Sequence, residues 1–259
     1  MIVSVTGATG VLGREVVRAL QRAGHDARSV SRAPAPRKAG WFNANIATGD
    51  GVLDALDGAY AVIHAATDPR QPDQVDVNGT RIIVDAANRV GVRHVIFISI
   101  VGVGKIPLKY YRAKHEAEQI VEAGAVRHSI LRATQFHPFL DGQFSALARL
   151  PLVFAVPRGF QIQSVDASEV AARLVRAIED GPRGRLNDFG GPEVMPIDTA
   201  ARRWTVARGI AKRVVTIPVP GRLAGAFRDG HNVTPNGERG RITWTDWLLS
   251  TQGDSRIDA

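Results

Sequence analysis

The chain has 259 residues, of which 44% are hydrophobic, and its mean hydropathy of −0.07 is typical of a globular protein with a sizeable core. It has no cysteine, which excludes disulfides, thiolate metal sites and a cysteine nucleophile. The net charge of +8 comes from scattered basic residues, so we expect no nucleic-acid partner. No apolar stretch approaches the ~18 residues of a membrane span, and the N-terminus is predicted as a strand rather than a signal peptide. We therefore expect a cytoplasmic protein without membrane contact.

Strand and helix patterns alternate along the first half of the chain. The predicted strands cover residues 1–5, 25–31, 41–45, 59–64, 92–99 and 126–131, and the predicted helices cover 14–21, 52–56, 72–90 and 110–123. Strands separated by helices predict a parallel sheet, and the right-handed connections of such units give a doubly wound α/β fold. We expect residues 1–135 to form this core.

The pattern is less regular beyond residue 133. Short strands are predicted at 161–165, 186–189 and 214–219, and helices at 167–179, 197–208, 220–229 and 244–249. We expect residues 136–259 to form a small C-terminal lobe over the carboxyl edge of the sheet, with elements that return to the core in one structural unit. Ligands of open α/β sheets bind at that edge.

A glycine-rich turn follows the first predicted strand, with the sequence Thr-Gly-Ala-Thr-Gly-Val-Leu-Gly at residues 6–13. Its glycines suit a tight turn, a close backbone approach to a pyrophosphate and close packing of the next helix, whose amide groups face the anion. Arg14-Glu15 replaces the Lys-Ser/Thr pair of a nucleoside-triphosphate loop. The alternative is an ordinary strand-to-helix turn. The dinucleotide-binding residues expected at this Rossmann-type corner are Thr6, Gly7, Thr9, Gly10, Val11, Leu12 and Gly13.

The end of the second strand indicates which nicotinamide cofactor binds. Ser31 and Arg32 end this strand, Arg37 and Lys38 follow in a proline-containing loop, and Asp26 lies at the opposite end. A carboxylate at the strand end would bond a ribose hydroxyl, whereas arginine pairs with a 2′-phosphate. We expect NADP(H) rather than NAD(H), the alternative being three solvated cations. Small residues after the fourth strand should admit the adenosine half of the cofactor: Ala65, Ala66 and Thr67.

Tyr110 and Lys114 lie four residues apart at the start of a predicted helix and therefore share one face. A nearby ammonium lowers a phenol pKa, which would make Tyr110 a general acid or base. Lys114 is also a candidate to hold the nicotinamide ribose. The alternative is a surface lysine beside a packed tyrosine.

These features together resemble the extended and atypical short-chain dehydrogenase/reductases, and Gly190-Gly191-Pro192-Glu193-Val194 is typical of their NmrA-like branch. The glycine spacing and the Tyr-x-x-x-Lys pair are similar to the motifs of those families. The resemblance implies a catalytic hydroxyl at the end of the preceding strand, where Ser99 is available. It also implies that Ala133 and Thr134 pass along the nicotinamide.

The resemblance implies an NADP(H)-dependent reductase of a small carbonyl or conjugated substrate, with Tyr110, Lys114 and Ser99 as catalytic residues. The Tyr110/Lys114 pair favours an enzyme, whereas the single hydroxyl at Ser99 favours a non-catalytic sensor of cofactor redox state, and an epimerase is a weaker alternative. The irregular lobe should select the substrate through Gln135, Phe136 and His137, with further aromatic contacts from Phe139, Phe144 and Phe154. No metal is expected, and the chain is expected to be a monomer or homodimer.

Overall fold

The computed structural model describes residues 1–33, 39–151 and 153–251. Its strands are β1 Ile2–Thr6, β2 Asp26–Ser31, β3 Trp41–Asn43, β4 Ala61–His64, β5 His94–Ile100, β6 His128–Ala133, β7 Phe154–Pro157, β8 Gln161–Ile162, β9 Gly184–Arg185, β10 Phe189–Gly190, β11 Met195–Pro196, β12 Val214–Ile217 and β13 Glu238–Arg239. Its α-helices are α1 Val11–Arg22, α2 Val52–Leu56, α3 Gly79–Arg89, α4 Lys109–Ala123, α5 His137–Ala148, α6 Ala167–Glu179, α7 Ile197–Ala207, α8 Arg222–Arg228 and α9 Trp244–Ser250. A π-helical turn, Asp73–Asn78, precedes α3.

Two compact units make up the chain. The first contains residues 1–104, 108–132 and 167–187, and the second contains residues 105–107, 133–166 and 188–259. None of the described helices is long and apolar enough to cross a bilayer.

The first unit is built on a largely parallel sheet in the order β9-β6-β5-β4-β1-β2-β3. This confirms the predicted Rossmann-type α/β fold. The register places Thr6 opposite both Val30 and His64, so the carboxyl ends of β1, β2 and β4 meet at one edge. The glycine-rich turn therefore emerges where two neighbouring strands also end.

Apolar periodicity explains why α1 forms and packs. Its buried residues Leu12, Val16, Ala19 and Leu20 share one face at helical spacing, and this helix packs against α6. The chain leaves the helix through Gly24, whose φ of +76° suits glycine.

The second unit has its own core. Aromatic and aliphatic side chains of α5, β7, α7 and α9 fill it, with Phe144, Phe154, Trp204 and Trp244 at its centre. Within this unit β10 pairs in parallel with β13, β7 with β12, and β8 antiparallel with β11.

The helix predicted over residues 72–90 is present to Arg89, but its first part is the π-helical turn, which continues directly into α3. Val75, Asp76 and Val77 are all buried there, so this turn is enclosed on more than one face.

Three expectations for the later part of the chain also differ from the structure. Helix α5 was not predicted, because its apolar residues do not form one stripe: Phe144 is buried whereas Phe139 is 49% exposed. The strand expected at 161–165 is limited to β8, and Val165 forms an isolated bridge with Phe136. The strand expected at 186–189 is replaced by β9 and β10 on either side.

Candidate functional site

The glycines of the turn are required by close backbone contacts. Gly7 has a φ of +68°, and a Cβ there would lie 2.7 Å from the Cα of Ala66. A Cβ on Gly13 would lie 2.1 Å from the carbonyl oxygen of Gly7, which no side chain tolerates. The Gly10 amide donates to that same carbonyl at 2.9 Å and closes the turn.

The first backbone amides of α1 have no hydrogen-bond partner within the helix. Gly10 is the N-cap and supplies no side chain, and its carbonyl accepts the bond from the Arg14 amide at 3.2 Å. The amides of Val11, Leu12 and Gly13 precede this first helical bond, so they have no partner within the helix. Together with the positive end of the helix they can hold a phosphate.

A buried histidine ties the ends of β1 and β4 to the π-helical turn. His64 contacts the Thr6 hydroxyl through Nδ1 at 2.7 Å and the Thr80 hydroxyl through Nε2 at 3.0 Å. The Thr80 hydroxyl donates to the carbonyl of Asp76, so the histidine donates from Nε2 and accepts at Nδ1. Burial, with a smaller effect of Lys114, lowers the pKa of His64 to about 3. This neutral histidine holds the frame of the site and is no base at neutral pH.

A chain of hydrogen bonds connects Tyr110 with a buried carboxylate. The Thr67 hydroxyl donates to Oδ1 of Asp76 at 2.6 Å and lies 3.1 Å from the Tyr110 hydroxyl. Because a hydroxyl has one proton, Tyr110 donates to Thr67. The backbone amide of Asp68 donates to Oδ2 of Asp76 at 3.2 Å, and Nζ of Lys114 lies 3.6 Å from Oδ1.

The charge of Lys114 is directed to Asp76 instead of Tyr110. Lys114 is 3% exposed, and its ammonium lies 4.2 Å from the centre of the Phe97 ring. Burial lowers the pKa of Lys114, although Asp76 opposes that effect. This placement leaves the ammonium satisfied within the first unit.

The pKa of Tyr110 is shifted in the direction opposite to the expected one. Burial and the carboxylate of Asp76 raise this pKa, and the hydrogen bond to Thr67 opposes them only in part. The expected lowering by Lys114 is therefore wrong, because burial disfavours the phenolate and the Lys114 ammonium pairs with Asp76. The phenol is protonated at neutral pH, and its raised pKa makes it a weaker acid than an ordinary tyrosine.

Ser99 lies beside another buried carboxylate. Glu118 forms two hydrogen bonds with Arg132, at 2.8 and 2.6 Å, and one with Arg185 at 3.1 Å. Burial would raise the pKa of Glu118, but Arg132, Ser99 and Arg185 lower it below its usual value. The Ser99 hydroxyl is 5% exposed and faces this carboxylate without the geometry of a regular hydrogen bond.

The cofactor residues expected at the end of β2 are placed in part. The hydroxyls of Ser31 and Thr9 lie 3.4 Å apart, and Arg32 is exposed. Arg37 and Lys38 lie outside the described residues.

Ala133 and Thr134 belong to the second unit and stay predicted cofactor residues. Ala133 lies opposite Phe189 in the sheet register, and the amide of Thr134 donates to the Phe189 carbonyl at 3.0 Å. The Thr134 hydroxyl accepts from the Gly191 amide at 3.3 Å, so both polar groups fix the backbone of this segment.

The three expected substrate residues follow in the second unit. The Gln135 carbonyl accepts from the Val165 amide at 2.9 Å, and Phe136 is half-buried. His137 is fully buried, with Nδ1 2.9 Å from the Ser164 hydroxyl and its ring 5.6 Å from that of Trp244. Burial lowers the pKa of His137.

The expected aromatic contacts divide between core and surface. Phe144 and Phe154 are buried in the core of the second unit, whereas Phe139 is 49% exposed. Phe144 and Phe154 therefore pack the unit, and Phe136 and Phe139 stay accessible.

Asp76 is the main site residue that the sequence did not reveal. It lies between Val75 and Val77 in a segment predicted as an amphipathic helix, where a charged residue is expected to face solvent. The signal available was a carboxylate enclosed by two β-branched apolar residues, 38 positions before Lys114 in the sequence. Asp76 and Lys114 come into contact only in the folded structure.

A family model described as NAD(P)H-binding matches residues 7–180. The chain belongs to this NAD(P)H-binding family. It is similar to a ceramide reductase of Caulobacter vibrioides, with 28% identity over 96% of the chain and 86% of the relative. It is also similar to the (4-alkanoyl-5-oxo-2,5-dihydrofuran-3-yl)methyl phosphate reductase of Streptomyces griseus, with 32% identity over 75% of the chain and 69% of the relative.

One relative of this NAD(P)H-binding chain carries a different description. The photosystem II assembly factor Ycf39 of Cyanophora paradoxa is 28% identical over 69% of the chain, which spans 59% of the length of that factor. Among solved structures, a nucleoside-diphosphate-sugar epimerase of Staphylococcus aureus matches with a TM-score of 0.78 and 17% identity, over 96% of this chain and 100% of the other. An NADPH-dependent quinone oxidoreductase of Escherichia coli, complexed with NADPH, matches with a TM-score of 0.71 and 20% identity over 88% and 87%. These two structures show the shared fold.

Proposed function

We propose that the protein is an NADP(H)-dependent reductase of a small carbonyl or conjugated substrate, and that Tyr110 is its proton donor. The observation that carries this proposal is the hydrogen-bonded chain from Tyr110 through Thr67 to Asp76, with Lys114 paired to the carboxylate. The names of two similar proteins, a ceramide reductase and a dihydrofuranyl phosphate reductase, support the reaction class.

The residues at the glycine-rich turn fit a dinucleotide. The contacts around Gly7 and Gly13 leave no room for side chains, and three amides at the start of α1 have no partner in the helix. The pyrophosphate of the cofactor would contact these amides, and the bound nicotinamide would supply the hydride.

The proton comes from this chain's own residues. Tyr110 is protonated at neutral pH, and its one proton would leave the hydrogen bond with Thr67 and pass to the oxygen or carbon that becomes negative in the substrate. Thr67 accepts a hydrogen bond from the phenol and orients it, and Asp76 holds Thr67 in that role. Ser99 remains the proposed group that polarises the substrate oxygen.

Turnover of NADPH with a panel of quinones, enones and aldehydes tests the reaction. Tyr110→Phe should lower kcat by a factor on the order of 10²–10⁴, the usual contribution of a general acid. Tyr111→Phe is the matched control, because its neighbouring ring packs edge-on against Tyr110, and this variant should retain its activity. Undiminished turnover by Tyr110→Phe would remove the proposed mechanism.

The preference for NADP(H) rests on Arg32 at the end of β2, with Arg37 as an auxiliary. A charge-assisted phosphate contact contributes roughly 1.5–3 kcal/mol. Arg32→Ala should therefore weaken NADPH binding by about tenfold or more and leave NADH binding nearly unchanged. Equal affinities of the unmodified protein for both cofactors would contradict the preference.

A non-catalytic binding module is the second candidate function. The similarity to an assembly factor favours it, as does the placement of Ser99 beside Glu118. This candidate predicts tight NADPH binding without turnover of any carbonyl, enone or quinone in the panel. Measurable turnover that depends on Tyr110 would exclude it.

A further inference from the structure

Arg14 is a basic residue near the N-terminus of α1, where acidic residues are usually favoured. The first turn of this helix contains no acidic residue, and Arg14 places a cation near the positive end of the helix dipole. Such an arrangement is unfavourable unless an anion is close by. Departures of this kind from local preference are expected at functional sites.

The side chain of Arg14 folds back over the glycine-rich turn. Its Nη1 donates to the carbonyl of Thr9 at 2.6 Å, so the guanidinium is held beside the turn by an uncharged acceptor. A guanidinium has five N–H donors, and this one bond leaves others for a ligand.

Two hydroxyls connect the turn with the end of β2. Oγ1 of Thr9 lies 3.4 Å from Oγ of Ser31, and the Ser31 hydroxyl also accepts from the Ala33 amide at 3.2 Å. Arg14 therefore bonds to Thr9, whose hydroxyl lies close to that of Ser31 at the end of β2. Ser31 directly precedes Arg32 in the sequence. The hydroxyls of Thr9 and Ser31 can both donate to a phosphate oxygen.

The charges at this corner are not compensated. Over residues 1–33, 39–151 and 153–251, neither Arg14 nor Arg32 forms an ion pair, whereas Arg18, one turn further along α1, is paired with Glu15 at 2.6 Å. Asp26 lies five residues before Ser31 in β2, which corresponds to about 16 Å along a strand. The corner therefore suits a dianionic group.

We infer that Arg14 is a specificity-determining residue that binds the 2′-phosphate of NADP(H) together with the hydroxyls of Thr9 and Ser31. This inference rests on the proposed function, because it assumes that NADP(H) binds with its 2′-phosphate at Arg32. It adds the guanidinium of Arg14 to that phosphate site. The competing role for Arg14 is a contact with the pyrophosphate, which NADPH and NADH share.

The test is the Kd for NADPH and for NADH, measured by calorimetric titration of the unmodified protein, Arg14→Gln and Arg18→Gln. Both substitutions remove one exposed positive charge from the same helix. Arg14→Gln should weaken NADPH binding by about tenfold and change NADH binding by less than about twofold. Arg18→Gln should alter neither by more than about twofold. Arg14→Lys, which keeps the charge without the planar donors, should be intermediate.

Three other outcomes overturn the inference. An equal loss for both cofactors assigns Arg14 to the shared pyrophosphate, and no loss for either leaves it without a role in binding. A protein that binds neither cofactor contradicts the proposed function and this inference with it. Selective loss of NADPH binding in a protein without reductase turnover would support the 2′-phosphate site while removing the reductase.

Discussion

Replacing Asp76 by asparagine removes the charge of the carboxylate at the centre of the site. Asparagine keeps one oxygen that can accept from Thr67, so the change removes the ion pair with Lys114 and the acceptor of the Asp68 amide. The two charged atoms lie 3.6 Å apart, and at an effective dielectric constant of ~20 their attraction is ~4–5 kcal/mol. Loss of one partner of a buried pair costs ~3–5 kcal/mol. We expect Asp76→Asn to lower the free energy of unfolding by that amount.

The assay is equilibrium unfolding in urea at neutral pH, with Asp73→Asn as control. Asp73 lies in the same π-helical turn, and its pair with Lys109 is shorter, at 2.6 Å, but both side chains are more than 60% exposed. Exposed pairs contribute ~0–1 kcal/mol, so this control should change stability by no more than that.

A double substitution separates the ion pair from general damage to the fold. Asp76→Asn combined with Lys114→Met should cost much less than the sum of the two single changes, because no buried charge is left without its partner. Additive effects, or a loss below about 1 kcal/mol for Asp76→Asn, would refute the assignment of a buried, energetically coupled pair.

Two further predictions concern the frame of the site. The buried, neutral His64 resists protonation until about pH 3, whereas an unfolded histidine takes up a proton below about pH 6.5. The stability contributed by neutral His64 is therefore complete above pH ~6.5 and is lost as the pH falls. At about pH 5 the free energy of unfolding should be ~2 kcal/mol lower than at neutral pH because of this residue. Urea titrations of His64→Gln should lack this pH-dependent loss. Gly13→Ala should cost ~1–3 kcal/mol because its Cβ meets a backbone carbonyl, whereas Gly142→Ala, in open space on α5, should stabilise by ~0.5–1 kcal/mol. Equal melting temperatures for these two variants would contradict the contact at Gly13.

The sequence was most informative where a local pattern determines geometry. The spacing of Gly7, Gly10 and Gly13 predicts a strand-to-helix turn, and the structure has the close contacts of Gly10 and Gly13 with the backbone of Gly7 within that turn. The alternation of apolar runs likewise predicts the parallel sheet, since strand burial and helix periodicity are properties of neighbouring residues.

Features that depend on tertiary packing were not predictable in this way. Burial first, and then the carboxylate of Asp76, raises the pKa of Tyr110. Asp76 lies in a π-helical turn that an amphipathic pattern does not distinguish from an α-helix. Helix α5 lacks one apolar stripe because it packs within an aromatic core built from distant segments. In both cases long-range contacts override the local signal.

Calorimetric titration of the unmodified protein with NADPH and with NADH tests the proposed dinucleotide site most directly. The amides at the start of α1 and the uncompensated arginines Arg14 and Arg32 predict that NADPH binds, with a Kd at least about tenfold lower than that of NADH. Absence of NADPH binding, or equal Kd values for the two cofactors, would contradict the proposed NADP(H) site.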